Sequence, residues 1–232
     1  MSFVQARDQD GIRVLRFEHG KPNSISQAVA EEISAALDAA AKDPKIRAIV
    51  LFGRDGMFSG GFDLATMGKG AAAARDMVIA GGRLLMDIYD HVKPVVVGCG
   101  GHAVAMGAFM VMAGDERIGA EGSFKIGMNE TAIGMTLPDF GFELARARLS
   151  KRYYDRAVVQ STFFDPKGAV DAGILDRVVE PSQLEDEALA AAARLSELKQ
   201  PAFRNNKRIA HAKTVERIRS NLVENVSKLM GG

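Results

Sequence analysis

From Pro94 to Gly114 the chain runs for 21 residues in which His102 is the only histidine, lysine, arginine, aspartate or glutamate. A stretch of that length can span a bilayer. Its residues favour another reading. Pro94-Val95-Val96-Val97 is rich in β-branched side chains, Gly98, Gly100 and Gly101 interrupt the run, and Ala103 to Ala113 suits a short buried helix. The stretch therefore reads as a strand, a tight turn and a core helix, and the fold must cover this unit on every side. A chain of 232 residues can do so. At that length, folding buries roughly 70% of the surface the unfolded form exposes.

Composition narrows the function classes. Thirty basic residues against 29 acidic ones leave a net charge of +1, which argues against a nucleic-acid binder that works by neutralising phosphates. With 47% apolar and 25% charged residues, the chain has the make-up of a globular domain. The single cysteine, Cys99, excludes a disulfide framework and any cysteine-built metal site. The segment Met1–Asp8 lacks the apolar core of a signal peptide, so a cytoplasmic protein without a membrane span is expected.

Apolar periodicity sketches an alternation of strands and helices. Ile12–Phe17 reads as a strand and Ile46–Phe52 as one covered on both faces. Between them Val29, Ile33, Leu37 and Ala40 fall at helical spacing, Ser24 and Gln27 are placed as a capping box, and Asp43-Pro44 should stop the helix. Further helices are expected from Ala71 to His91, from Gln183 to Leu198 and from Ala202 to Leu229, with short strands at Arg117-Ile118 and Ile174–Val179. The pattern predicts an α/β core over residues 1–181 with a largely parallel sheet, followed by a helical segment over 182–232 that serves as a cap or assembly element.

Two segments share one design, a buried strand followed by glycines and a helix start. They lead to Ser59-Gly60-Gly61-Phe62-Asp63 and to Ala105-Met106-Gly107. Turns of this kind leave main-chain N–H groups free, and two side by side can converge on one developing oxyanion. The glycines also fit plain tight turns. In addition, Gly98-x-Gly100-x-x-Ala103 matches a dinucleotide fingerprint, although no strand ends in an acidic residue at the required distance. A Ser59–His102 pair is conceivable, but no Gly-x-Ser-x-Gly elbow accompanies it.

Glu130 is the carboxylate that stands out, set in an otherwise apolar or small segment from Lys125 to Met135. Dry surroundings raise a carboxyl pKa and make it a usable base near neutrality; a helix N-cap or a surface acid is the alternative. Asp63 and Asp139 suit helix or turn caps. His19, His91 and His211 show no ligand spacing, so no metal is expected.

In order along the chain, Asn23-Ser24-Ile25-Ser26, Phe58-Ser59-Gly60-Gly61-Phe62-Asp63-Leu64, Lys93-Pro94-Val95-Val96 with Gly101-His102-Ala103, and Ala169–Val179 resemble the crotonase (enoyl-CoA hydratase/isomerase) superfamily over roughly residues 3–181. The resemblance implies a fold of stacked β-β-α turns, assembly as homotrimers or paired trimers, and an acyl-CoA thioester substrate of the kind met in fatty-acid metabolism. It calls for no cofactor, because CoA is part of the substrate. By position it places an oxyanion hole at the amides of Phe62 and Met106, a substrate pocket at Gly61, Met67, Gly107 and Phe109, and CoA contacts at Asn23, Ser24 and Gly60. The family's hydratases use two glutamates. Here the first position is Phe109 and the second is Glu130, and Gly127–Thr131 is most similar to the catalytic segment of Δ3,Δ2-enoyl-CoA isomerases. The resemblance thus implies a shift of a 3-enoyl-CoA double bond by one glutamate. A hydratase drawing on Asp139 or Glu143, or an acyl-CoA-binding protein without activity, is the alternative.

Overall fold

The computed structural model describes residues 2–231. In chain order the elements are β1 (Val4–Gln9), β2 (Ile12–Phe17), α1 (Gln27–Lys42), β3 (Ala48–Phe52), β4 (Gly56–Ser59), α2 (Leu64–Met67), α3 (Ala71–Tyr89), β5 (Val95–Cys99), β6 (Gly101–Val104), α4 (Met106–Ala113), β7 (Glu116–Ala120), β8 (Ile126–Gly127), α5 (Asp139–Arg148), α6 (Lys151–Val158), α7 (Pro166–Ala172), β9 (Arg177–Val179), α8 (Leu184–Ser196) and α9 (Gln200–Met230). β1 and β2 form an antiparallel hairpin. From β2 onward the large sheet is parallel, in the order β1-β2-β3-β5-β7-β9, and β4, β6 and β8 make a second parallel sheet. From β3 to β8 each turn of the chain thus gives one strand to the large sheet and the next to the small one before a helix returns it. This is the stacked β-β-α coil that the resemblance implies.

Alternation on the large sheet explains the unbroken apolar strands. Ile49 and Leu51 face the core built with α1, α3 and α4, whereas Val50 and Phe52 face a second cluster closed by Leu184, Ala188 and Ala191 of α8. The helix α9 packs along α3 and α5 of the same chain. Lys207 at its N-terminal end reaches Asp115 through a buried ion pair of 2.7 Å. Helices α8 and α9 therefore cover the core of their own chain on two sides.

Three sequence expectations are corrected. The long apolar stretch is two strands and a helix, because the chain leaves β5 at Gly100 and enters the second sheet as β6 instead of turning directly into a helix. That also disposes of the dinucleotide fingerprint, since Gly98 lies within β5 and Ala103 within β6, with no helix start between them. Helix α1 is capped by Ser26, whose Oγ accepts the Val29 N–H at 3.3 Å, whereas Gln27 donates to Glu31; Ser24 and Gln27 form no capping box. The sequence pattern also missed β1, β4, β6, β8 and the four helices α2, α5, α6 and α7. No helix among the described residues is long and apolar enough to cross a membrane.

Within the small sheet, β6 lies against β4 too closely for any side chain at one position. A Cβ on Gly101 would lie 2.0 Å from the carbonyl carbon of Gly56 on the paired strand β4. Because the obstacle is backbone, Gly101→Ala is expected to lower stability by about 3 kcal/mol, at the upper end for overpacking. Urea denaturation measures this, and an unchanged midpoint would mean that the strands part freely.

Candidate active site

The small sheet assembles the site. Its three parallel strands are in register, Ser59 opposite Ala103 and Ala103 opposite Ile126. Each strand releases one group just past its C-terminal end: Phe62 after β4, Met106 after β6 and Glu130 after β8. Ligands of open parallel sheets bind at that edge.

The first two groups are main-chain amides. Gly61 adopts φ +99°, a conformation that side chains resist. Its carbonyl accepts the Ile25 N–H at 2.8 Å, and the Asp63 N–H returns to the Ile25 carbonyl at 3.1 Å. The Phe62 N–H between them has no protein acceptor among the described residues. Ala105 holds φ +52° and ψ −119° without being glycine. Such backbone costs on the order of 1–3 kcal/mol and persists only where its surroundings fix it. Here the Ala105 N–H donates to the Gly127 carbonyl at 2.9 Å, and its own carbonyl accepts from Ala108 and Phe109. Met106, the next residue, opens α4, and its N–H likewise has no acceptor among the described residues. The two turns touch: a Cβ on Gly61 would lie 3.1 Å from Ala105 Cβ and 3.7 Å from Met106 N. Every residue of α4 is buried, so its macrodipole acts at Met106 with little screening by water.

The third group is the Glu130 carboxyl. Its loop is clamped by the Glu130 carbonyl, which accepts from Ile133 at 3.1 Å and Met135 at 2.8 Å, and by Gly134 in the left-handed region. Glu130 stands at the N-cap position of a short 3₁₀ turn, Thr131–Ile133, but makes no side-chain cap bond. That excludes the N-cap alternative. Its Oε2 is buried without a hydrogen-bond partner. Burial pushes the carboxyl up to about 7, against a weaker opposing pull from the main-chain amides of Glu130 and Asn129. The carboxyl borders a cavity of about 220 Å³, whose remaining walls are largely apolar.

Of the residues singled out in the sequence, Gly60, Phe62, Met67 and Glu130 line this cavity. Gly61 and Met106 are not among its walls; they meet where the two turns touch, next in sequence to the lining residues Gly60, Phe62 and Ala105. Gly107 is pressed against the Ser59 carbonyl, and Phe109 is buried edge-on to Phe140 at 6.2 Å, so neither side of α4 beyond Met106 forms cavity wall. Asn23 is wholly buried. Its amide bonds the carbonyls of Phe17 and Phe58 and accepts the His19 N–H, tying β2 to β4, while Ser24 donates to Asp63 at 3.2 Å. Asp63 caps α2, accepting the Thr66 N–H at 2.8 Å. Asp139 opens α5 without making a side-chain cap bond and is held by Asn221, while Glu143 is held by Arg146 and Arg217; neither borders the cavity. Ser59 and His102 do not pair: Ser59 Oγ donates to the Asn23 carbonyl and His102 Nδ1 accepts from Lys125 N. Among the described residues no group of three or more His, Cys, Asp or Glu is placed to hold a metal ion.

The sequence reading missed Val78, Ala105, Met135, Pro138 and Met230 as cavity walls. Met135 could have been found from its place beside Glu130. Nothing in the sequence marks Ala105 as strained or brings Met230 back from 100 residues downstream of Glu130.

A family model described as enoyl-CoA hydratase/isomerase matches residues 7–229. The crystal structure of an enoyl-CoA hydratase/isomerase family protein from Pseudomonas syringae superposes with a TM-score of 0.85 at 39% identity, covering 99% of this chain and 95% of the other. Human mitochondrial enoyl-CoA delta isomerase 1 is 28% identical over 211 residues, 90% of this chain and 70% of its own length. A probable enoyl-CoA hydratase of Mycobacterium avium is 31% identical over 194 residues, 79% of this chain and 72% of its own. Similar chains thus bear isomerase and hydratase names alike.

The raised carboxyl has a consequence for stability. Unfolded, Glu130 ionises at its ordinary value of 4.5; folded, it keeps its proton to about 7. Between those values the folded state binds more protons, so its stability falls as pH rises, by on the order of 3 kcal/mol once both forms are ionised. Glu130→Gln removes this deficit. The variant should be more stable than the parent by that amount at about pH 8 and no more stable at about pH 4. Urea denaturation at both values measures the difference, and an equal effect at both would contradict a buried, titrating Glu130.

Proposed function

Because the chain belongs to the enoyl-CoA hydratase/isomerase family, we propose that it moves the double bond of a 3-enoyl-CoA to the 2-position. The Glu130 carboxylate removes a proton from C2, and the electron pair delocalises through the C3–C4 double bond and the thioester into a dienolate. The amide N–H groups of Phe62 and Met106 hold the negative oxygen. The protonated Glu130 then returns the proton to C4, leaving the double bond between C2 and C3. Each donor contributes about 3–4 kcal/mol, so two lower the barrier by roughly 6–8 kcal/mol.

One observation carries the choice of isomerisation over hydration: among the described residues Glu130 is the one carboxylate of the cavity walls, and its Oε2 is unpartnered. Adding water asks for a second group to orient and deprotonate it. The two other acids considered, Asp139 and Glu143, are engaged with Asn221 and with Arg146 and Arg217 outside the cavity. The apolar walls also suit a base that must keep water from the dienolate.

Glu130→Gln should slow conversion of 3-enoyl-CoA to 2-enoyl-CoA by about 10³-fold or more, the middle to upper part of the range for loss of a general base. Acyl-CoA binding should persist, and the wild-type rate should rise with pH through about 7. Rapid formation of 3-hydroxyacyl-CoA from 2-enoyl-CoA, or near-wild-type isomerisation by the variant, would overturn the reading.

A further inference from the structure

The helix α9 ends at the catalytic cavity of its own chain. Met230, its last residue, forms part of the wall, together with Val78 of α3 and Pro138 just before α5. Ile218, Leu222 and Val226 are buried at four-residue spacing, and Met230 is the next member of the same helical face. Two asparagines fix the register. Asn221 Nδ2 donates to Asp139 Oδ2 at 2.7 Å, and the Asp139 N–H donates to Asn225 Oδ1 at 2.9 Å. Asp139 is the immediate neighbour of Pro138, so this clamp acts one residue from the cavity. Leu222 adds a second stop, since it packs where a Cβ on Gly82 would lie 2.5 Å from its Cδ1.

The polar end of the cavity is fixed by Gly60, Phe62, Asn129 and Glu130. An acyl chain whose reacting carbons sit there must run on along apolar wall, to which Met67, Val78, Met135 and Met230 contribute. We propose that the last turn of α9, through Met230, sets the length of acyl chain the site accepts, so that each chain's own C-terminal helix completes its acyl pocket. This rests on the 3-enoyl-CoA reading above and names the substrate dimension that reading leaves open. Methionine is a flexible filler. Its truncation to alanine removes three heavy atoms and makes room for about three more methylenes, whereas tryptophan fills that space.

The test measures kcat/KM for 3-enoyl-CoA esters from six to sixteen carbons, with dissociation constants for the matching saturated acyl-CoA esters by calorimetry. Met230→Ala should raise the long-to-short ratio by about tenfold or more, the discrimination expected of a few methylenes in an apolar pocket, and Met230→Trp should lower it by a similar factor. Lys228→Ala, an exposed position paired with Glu224, should leave the profile unchanged. If the wild type turns over these esters but neither Met230 variant shifts the ratio in turnover or in binding, the role of α9 is overturned and the isomerase reading stands. If the wild type turns over none of them at any length, both fall.

Discussion

The hydrogen-bonded register of β4, β6 and β8 is the constraint on which the rest depends. The proposed chemistry needs two amides and one carboxyl to meet around a single thioester, yet they come from residues 62, 106 and 130. A parallel ladder solves this by fixing where each strand ends. The Ala105 N–H bond to the Gly127 carbonyl extends that ladder one step beyond the strands, linking the turn that carries the Met106 amide to the strand that carries Glu130. The close approach of Gly101 to Gly56 on the neighbouring strand, and of Gly107 at the start of α4 to Ser59 on β4, leaves no room for a side chain at either glycine. A shift of one residue in that pairing would send alternate side chains to the opposite face.

Two unfavourable features sit on this frame, and the frame is what permits them. Ala105 holds a conformation few residues other than glycine accept. Glu130 keeps a carboxyl oxygen buried with nothing to bond, at a cost once it ionises. Both are local and both point at the same cavity. The surrounding stability comes from elsewhere: a large sheet covered on both faces, and α9 locked to the core by the Lys207–Asp115 pair and the Asn221–Asp139–Asn225 clamp.

Much of this was legible in the sequence for identifiable reasons. The double-faced strand β3 shows as an unbroken apolar run, α1 and α3 show as helical periodicity, and Glu130 shows as an acid in apolar company. The strands of the small sheet did not show, because β4 and β6 have four residues each and β8 has two, too short to display alternation and, in β6, opened by glycine. Their existence turned a supposed tight turn after Gly98 into a passage between sheets. Asn23 and Ser24 illustrate a different limit. A polar pair in a motif reads as a ligand contact, but burial decides, and here Asn23 spends its amide on Phe17 and Phe58. Phe109 was legible as an apolar residue in place of an acid, yet its ring belongs to the packing between α4 and α5.

The proposed chemistry requires one thioester oxygen between two turns, with one carboxyl facing the carbon beside it. A crystal structure with a saturated acyl-CoA bound tests it most directly. The thioester oxygen should lie about 3 Å from both the Phe62 and Met106 nitrogens, with C2 in contact with the Glu130 carboxyl and the acyl chain running toward Met230. A thioester bound with its oxygen away from these amides, or with C2 out of reach of Glu130, would contradict it.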